Sequence, residues 1–259
     1  MSYPPLETWV WRHEGFVAGI GVDPADRGFR YGMSIFESLR VADSQPQHLE
    51  AHLTRLRQAC AARQLFCDEK ALAAAARPLR ECGLDGFARI YITAGDGAAT
   101  SAAMEARVFL FIEPRERPAL SSYDVALADE IHHPLFGGLK TGNYWANLDG
   151  LRRAQERGKH EALLFNARAE LVSACCANVF VVRDGVARTP SATSGARAGV
   201  IRELVMQRIP VEEARLSKED AMQADEIFLT SSWVGVMPVA TLNGRALPSK
   251  AVATSLGAL

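Results

Sequence analysis

One lysine of this chain lies in a setting that would activate its amine. Lys140 belongs to the stretch "HHPLFGGLKTGNYWANLDG", residues 132–150, where its close neighbours are glycine, leucine and threonine. Burial among apolar groups lowers the pKa of a lysine and leaves a nucleophilic amine, as a Schiff-base lysine requires. The alternative is a loop lysine whose ammonium reaches water, and composition alone favours that alternative.

Three other segments carry groups that bind phosphate. The glycine-rich loop "SATSGARAG" leads into a helix that starts near Val200, and the N–H groups at a helix start attract anions. Thr230, Ser231 and Ser232 offer hydroxyls after a strand, and Arg55 lies on an apolar-striped helix. Each signal is weak alone, and sequence spacing does not show that the segments converge. Together with Lys140 they point to pyridoxal 5'-phosphate (PLP), whose aldehyde reacts with a lysine.

Composition excludes several other classes of function. The 259 residues carry a formal net charge of -1, so no basic surface for nucleic acid is expected. Neither a membrane-length apolar run nor a signal-peptide pattern is present, which predicts a cytoplasmic protein. The five cysteines are expected to be reduced thiols. No third ligand accompanies His132 and His133 at a usual spacing, so no metal site is predicted.

The remaining pattern predicts an α/β protein of the α+β kind with two domains. Residues 1–117 form a small N-terminal α+β domain, which ends at the polar linker "EPRERP", and residues 118–259 form a larger domain. Apolar residues at helical spacing predict a helix within "QPQHLEAHLTRLRQACAARQL". A second helix, "EKALAAAARPLRECGL", is expected to break near Pro78, and "DPADRGFRYG" to form turns. Hairpin turns are expected at Asp184-Gly185 and Asn243-Gly244.

An ordered set of motifs resembles the class IV aminotransferase family. These motifs are "DRGFRYGMSIFESLRV", "HLTRL", "LKTGNYWANLDGLRRAQERGKHEALLF", "SACCANVFVVRDGVARTP", "GVIRELV" and "EIFLTSSWVGVMPV", and they span roughly residues 23 to 245. The family comprises fold-type IV PLP enzymes, among them branched-chain and D-amino acid aminotransferases and 4-amino-4-deoxychorismate lyase. The resemblance implies a small N-terminal domain, a larger PLP-binding domain with a mixed, barrel-like sheet and helices, and a homodimer.

The resemblance also implies roles for individual residues. Lys140 is similar to the lysine that forms the Schiff base and moves the substrate's α-proton. The implied cofactor-binding residues are Arg55, Tyr144, Ser173, Asn178, Val200, Ile201, Ser231 and Ser232. Tyr31 and Tyr91 resemble substrate-pocket positions, and Arg89 is one of three arginines, with Arg30 and Arg40, that are candidates for the substrate carboxylate.

Two positions depart from the family pattern. Ser173 stands where the family usually has a glutamate that keeps the pyridine nitrogen protonated. A neutral serine stabilises a carbanion less, which disfavours transamination and is more compatible with elimination. Thr93 and Ala94 stand where the aminotransferases carry carboxylate-binding arginines, so neither arrangement is complete.

Three hypotheses follow from these motifs and departures. The first is an aminotransferase that moves an amino group between an amino acid and a 2-oxo acid through Lys140, placed slightly ahead by the frequency of that activity in the family. The second is 4-amino-4-deoxychorismate lyase, which releases pyruvate and 4-aminobenzoate and is favoured by Ser173. The third is a PLP-binding protein with little or no catalysis.

Overall fold

The chain divides into two compact units that interleave in sequence. The computed structural model describes residues 7–12, 14–19, 21–101 and 106–257. Unit 1 comprises Met1–Arg117 together with Lys140–Asn143, and unit 2 comprises Pro118–Leu139 and Tyr144–Leu259. The four-residue segment Lys140–Asn143 therefore groups with unit 1, although it follows the first part of unit 2 in sequence.

The described strands of unit 1 form a six-stranded sheet in the order β2-β1-β6-β5-β3-β4. All of its pairings are antiparallel. Its strands are β1 (Glu7–Arg12), β2 (Gly15–Ala18), β3 (Ser34–Ala42), β4 (Gln45–Pro46), β5 (Gly86–Thr93) and β6 (Arg107–Pro114). Strand β4 pairs with β3 only near Val41 and Ala42, so β3 has an open edge over its first residues. That open edge receives the lysine segment described below.

The two faces of this sheet differ because side chains alternate along a strand. One face carries Ile35, Leu39 and Ile90, which are buried in a hydrophobic core. Leu53 and Leu56 of helix α2 (Leu49–Ala62) join the same core and confirm the helix predicted from the apolar spacing. The other face carries an aromatic cluster. One face of the sheet thus packs into the hydrophobic core, and the other face is aromatic.

Unit 1 differs from the sequence expectation at two places. The connection expected to be rich in turns also includes a short helix, α1 (Arg27–Tyr31), capped by the Asp26 side chain and ended by Gly32 at a φ of 66°. The second predicted helix is two helices, α3 (Glu69–Ala74) and α4 (Ala76–Glu81), and the break lies at Ala75 rather than at Pro78. Pro78 lies within the first turn of α4, where a missing N–H costs little.

Unit 2 is built on a mixed nine-stranded sheet. Its described strands follow the order β12-β11-β10-β13-β14-β7-β8-β9, with β15 paired to β14. They are β7 (Tyr123–Ile131), β8 (Glu161–Phe165), β9 (Leu171–Ala174), β10 (Asn178–Arg183), β11 (Val186–Pro190), β12 (Val211–Ala214), β13 (Glu226–Ser231), β14 (Gly235–Leu242) and β15 (Arg245–Ala246). Its helices are α5 (Trp145–Glu156), α6 (Val200–Arg208), α7 (Lys218–Met222) and α8 (Ala251–Leu256). None of the described helices of the chain is long and apolar enough to cross a membrane.

Two turns of unit 2 confirm the hairpin signals. Asp184 and Gly185 connect β10 to β11, and Asn243 and Gly244 connect β14 to β15. All four residues have positive φ, as a two-residue type I′ turn requires. The buried interior of the sheet is aliphatic and includes Val179, Ile227 and Leu229. These strands hold the loops that carry most of the predicted cofactor-binding residues.

Candidate active site

The backbone around Lys140 extends the open edge of β3. The N–H of Phe36 donates to the carbonyl of Lys140 at 2.9 Å, and the N–H of Gly142 donates to the carbonyl of Ser34 at 3.1 Å. Thr141 forms an antiparallel bridge with Ile35. Two sheet-like hydrogen bonds, at Lys140 and at Gly142, therefore hold the lysine segment against β3.

A glycine at position 142 makes this close pairing possible. A Cβ atom on Gly142 would lie 2.4 Å from the hydroxyl oxygen of Ser34, closer than non-bonded atoms approach. Gly32 has the same requirement, since a Cβ there would lie 2.4 Å from the side-chain oxygen of Asn143. Glycine at these two positions thus allows the lysine segment to pack closely against residues 32–34.

The Lys140 side chain lies on the aromatic face of the sheet. Its Nζ is 5.1 Å from the ring centroid of Phe36, a cation–π distance. Phe36 stacks on Tyr91 with centroids 4.8 Å apart, and burial raises the pKa of Tyr91. Arg89 lies two residues along β5 on the same face, with its guanidinium 4.8 Å from the ring of Phe87. The structure thus brings Lys140 and Tyr91 to a shared aromatic surface.

A buried charge cluster occupies the core side of the same strand. Glu37 is 7% exposed and accepts a hydrogen bond from Nδ1 of His52 at 2.8 Å, while Arg55 lies 3.3 Å from its other oxygen. Burial acts to raise the pKa of Glu37, but the His52 hydrogen bond and the nearby charges of Arg55 and Lys140 outweigh it and lower that pKa. Arg55 is therefore oriented by a buried carboxylate.

Tyr31 has a different environment from Tyr91. It is the last residue of α1 and is 43% exposed. The guanidinium of Arg30 lies 4.9 Å from the centroid of its ring. Arg30 and Tyr31 thus form an exposed pair beyond the buried core of unit 1.

In unit 2, helix α6 begins beside Asn178. The cap residue Gly199 supplies no side chain to the first N–H groups of the helix, and Val200 and Ile201 are buried. A Cβ on Gly199 would lie 1.9 Å from Oδ1 of Asn178, so only glycine fits. The Asn178 amide donates to the carbonyl of Arg197 at 2.7 Å and ties the preceding loop to β10. The resulting helix start has the donor geometry of an anion site.

The end of β13 adds hydroxyl groups to this helix start. Thr230 is the register partner of Asn178 in the neighbouring strand. Its Oγ1 is buried and, within the described residues, has no hydrogen-bond partner. Ser231 Oγ accepts from the N–H of Val234 at 3.3 Å and keeps its own proton to donate, and half-buried Ser232 follows. A buried hydroxyl without a partner is costly, so these groups fit a phosphate that would satisfy them.

Tyr144 precedes helix α5 and points its hydroxyl into unit 2. The hydroxyl donates to the carbonyl of Cys175 at 3.2 Å, and the Asn147 amide donates to the same oxygen at 2.9 Å. Arg197 also hydrogen-bonds the phenol oxygen. Burial raises the pKa of Tyr144 strongly, and the Arg197 charge offsets only part of the effect. The phenol is therefore a neutral hydrogen-bond donor at physiological pH.

Ser173 lies in β9 just before the turn that holds Cys175. It is half-buried, and its backbone pairs with that of Leu164. The turn is fixed by Glu161, whose carboxylate accepts the N–H groups of Cys175 at 3.0 Å and of Cys176 at 2.8 Å, as well as that of Ala162. Burial raises the pKa of Glu161 to about 7 despite these bonds. The carboxylate of this region is thus committed to backbone groups, and the group at position 173 is neutral.

Sequence reasoning missed four residues of these clusters. Glu37 is the one acidic residue in "SIFESLRV", and Arg197 is the one charged residue in "SATSGARAG", so each carried a visible signal. Thr230 has a hydroxyl in the run of residues 230–232, but it was not among the implied cofactor-binding residues. Glu161 gave no signal, because an acid at the start of a strand is ordinary on a protein surface.

In unit 1 Lys140 lies on an aromatic surface, and in unit 2 helix α6 begins with backbone N–H groups that no side chain caps. The family model of amino-transferase class IV matches residues 34–242. The chain therefore belongs to the class IV aminotransferase family, as its motifs predicted. Enzymes of this family depend on PLP.

Individual relatives support the same assignment at low identity. A D-alanine aminotransferase from Bacillus licheniformis is 27% identical over 89% of this chain and 86% of its own. The structure of 4-amino-4-deoxychorismate lyase from Pseudomonas aeruginosa is 27% identical with a TM-score of 0.82 and covers 96% of each chain. An aminotransferase from Brucella abortus, solved with bound PLP, is 22% identical with a TM-score of 0.83 and again 96% coverage of each chain. The fold-type IV prediction is confirmed, and both aminotransferases and a lyase are among the relatives.

Proposed function

We propose that the protein is a PLP-dependent aminotransferase acting on an amino acid, with Lys140 as the lysine that binds the cofactor. The observation that carries the proposal is the position of Lys140. Its backbone is hydrogen-bonded to β3, and its amine lies 5.1 Å from the centroid of the Phe36 ring. A fixed lysine on an apolar surface is suited to nucleophilic attack on an aldehyde and to proton transfer.

The bound cofactor supplies an aldehyde and an electron-withdrawing ring that acidifies the substrate's α C–H bond. The Lys140 amine takes up and returns that proton. The residues that would bind the cofactor phosphate are Arg55, the first N–H groups of α6 at Val200 and Ile201, and the hydroxyls of Ser231 and Ser232. Tyr144 would contact the phenolic oxygen of the cofactor, and Asn178 keeps the helix start in place. Ser173 would be the neutral partner of the ring nitrogen, and Tyr31, Tyr91 and Arg89 would contact the substrate.

The cofactor assignment is tested by reconstituting the purified protein with PLP. We expect a near-visible absorbance band and, after borohydride reduction, a phosphopyridoxyl group that mass spectrometry locates on Lys140. The Lys140→Ala variant is expected to show neither. Lys70→Ala removes a lysine that is 73% exposed and serves as the matched control. A modified lysine other than Lys140, or an absent band in the wild-type protein, would contradict the assignment.

The reaction type is tested with a panel of amino donors. Transamination converts the bound cofactor to its pyridoxamine form, which has a different absorbance spectrum, and we expect this conversion with at least one amino acid. The lyase remains the second candidate because Ser173 is neutral and Glu161 is committed to backbone groups. Pyruvate release from aminodeoxychorismate, with no conversion by any donor, would decide for the lyase.

A cytoplasmic homodimer completes the proposal. Trp145 and Leu148 at the start of α5 are 84% and 52% exposed, an apolar surface suited to a second copy of the chain. All five cysteines are free thiols, as in a reducing compartment. Light scattering of the purified protein should give the dimer mass, and Trp145→Glu should shift it towards the monomer. A wild-type monomer at micromolar concentration would refute the dimer.

A further inference from the structure

The backbone of Arg197 is held by one hydrogen bond and packs closely against Gly138. Its carbonyl accepts from the Asn178 amide, and its nitrogen lies 3.1 Å from where a Cβ on Gly138 would stand. Gly138 has a φ of 83°, so the glycine there allows the two backbones to approach. The fixed backbone limits the directions that the half-buried Arg197 side chain can take.

The Arg197 guanidinium contacts the hydroxyl of Tyr144, which is held in turn by the carbonyl of Cys175. Two other sheltered arginines have carboxylate partners, since Arg202 lies 2.6 Å from Glu213 and Arg55 lies 3.3 Å from Glu37. Buried Arg27 instead donates to backbone carbonyls, among them those of Gly95 and Ala94. In the part of the chain that the structure describes, Arg197 forms no salt bridge with a carboxylate. Arginine stays charged at any physiological pH and presents a planar fork of N–H donors.

The nearest buried acid does not fill this role. Glu161 acts on Tyr144 electrostatically, but its oxygens accept backbone N–H groups of Cys175 and Cys176. Among the described residues, the Arg197 fork is thus oriented by a neutral phenol and has no carboxylate bonded to it. A site that orients a guanidinium and supplies no anion is suited to an anionic ligand.

We propose that Arg197 binds the carboxylate of the amino substrate, with Tyr144 as the residue that positions the guanidinium. The inference rests on the proposed function, because it requires an amino-carboxylate substrate. Arg197 would then take the carboxylate-binding role for which position 93, a threonine in this chain, offers no arginine. The Thr93 hydroxyl donates to buried Asp26 at 2.7 Å, so that position stabilises unit 1 and offers no charge.

The test uses the PLP-loaded protein and propionate, an unreactive carboxylate, with propanamide as its neutral counterpart. The dissociation constants come from the perturbed cofactor spectrum and from thermal shift. Arg197→Leu should raise the dissociation constant of propionate about 10- to 100-fold and leave the dissociation constant of propanamide unchanged. Arg197→Lys keeps the charge without the fork and should give an intermediate value. Arg188→Leu removes an arginine paired with Glu212 on β11 and should resemble the wild type.

Reactive substrates give a second readout. In the wild type, the half-reaction with alanine should be faster than that with isopropylamine, in which a methyl group replaces the carboxylate. Arg197→Leu should lower the ratio of the alanine rate to the isopropylamine rate about 10-fold or more. Equal propionate affinity in Arg197→Leu and Arg188→Leu would overturn the proposal. Loss of the cofactor band with unchanged propionate affinity would place Arg197 on the cofactor instead and also overturn it. If Arg197→Leu does not fold, the Arg197→Lys comparison decides. Failure of the proposed function is separate, because it appears as a missing band in the wild type.

Discussion

Substitution of Glu161 by glutamine should change how the stability of the protein depends on pH. The Glu161 side chain is buried, and its two oxygens accept three backbone N–H groups around the turn at Cys175 and Cys176. Burial raises its pKa to about 7 from an ordinary value of 4.5. The carbonyl of Cys175 in the same turn binds the Tyr144 hydroxyl, so the fate of this carboxylate matters to the candidate site.

The sign follows from which state ionises first. The unfolded chain loses the Glu161 proton near pH 4.5, and the folded protein keeps it until about pH 7. Between these values the folded state holds more protons, so its stability falls as pH rises, and the loss levels off above pH 7. At about 1.4 kcal/mol per pKa unit, the full effect is about 3 kcal/mol. Most of it, about 2 to 3 kcal/mol, falls between pH 5 and pH 8.

The assay is urea unfolding of the wild type and Glu161→Gln at pH 5 and at pH 8. Glutamine does not ionise, so its variant should lack this part of the pH dependence. It offers only one acceptor oxygen, so the variant should be less stable at pH 5 and should approach or exceed the wild type at pH 8. The histidines are the same in both proteins and cancel in the comparison. Parallel pH profiles within about 0.5 kcal/mol would show that Glu161 does not titrate in this range and would refute the reasoning.

Three further substitutions test separate parts of the site. Ser173→Glu should raise the rate of the transamination half-reaction about 10-fold or more, because a carboxylate at the ring nitrogen stabilises the carbanion. Glu37→Gln should weaken PLP binding about 3- to 10-fold, measured by cofactor titration, because Arg55 loses its charged partner at 3.3 Å. Gly199→Ala should lower the free energy of unfolding by about 1 to 3 kcal/mol in urea and weaken PLP binding, because its Cβ would collide with Asn178.

Each of these variants has a control. Ser173→Ala separates the added charge from loss of the hydroxyl, and an unchanged rate in Ser173→Glu would contradict the argument about the ring nitrogen. Pyridoxal lacks the phosphate. If Glu37→Gln weakens the binding of pyridoxal and of PLP equally, Arg55 does not bind the phosphate. Gly21→Ala adds a methyl group where nothing lies within 4 Å and should match the wild type.

Local patterns predicted the elements of the fold well. The apolar spacing of α2 and the Asp-Gly and Asn-Gly turns depend only on neighbouring residues, and both predictions are confirmed. The helix break expected near Pro78 lies at Ala75, three residues earlier, because a proline fits the first turn of a helix. Conformational preferences of this kind are visible in a single segment of sequence.

The convergence of distant segments was not predictable from spacing. Lys140 pairs with β3 across more than a hundred residues, and Tyr144 meets Arg197 across more than fifty. Both contacts depend on strand register and loop path, which single segments do not encode. The glycine at position 142 has its reason only in that register, because Ser34 leaves no room for a side chain there.

The choice between aminotransferase and lyase depends on residues outside the shared motifs. Lys140 and the proposed phosphate-binding groups would serve any reaction of a PLP amine, so their presence does not separate the two. The missing arginine at position 93 argued for weak catalysis, but Arg197 supplies a charged fork elsewhere in the chain, which removes that reason for an inert protein. The remaining difference between the two activities is how strongly each needs the ring nitrogen to withdraw electrons. Ser173 is neutral and Glu161 is held by the backbone, so the response of the half-reaction to Ser173→Glu is the measurement that separates a slow aminotransferase from a lyase.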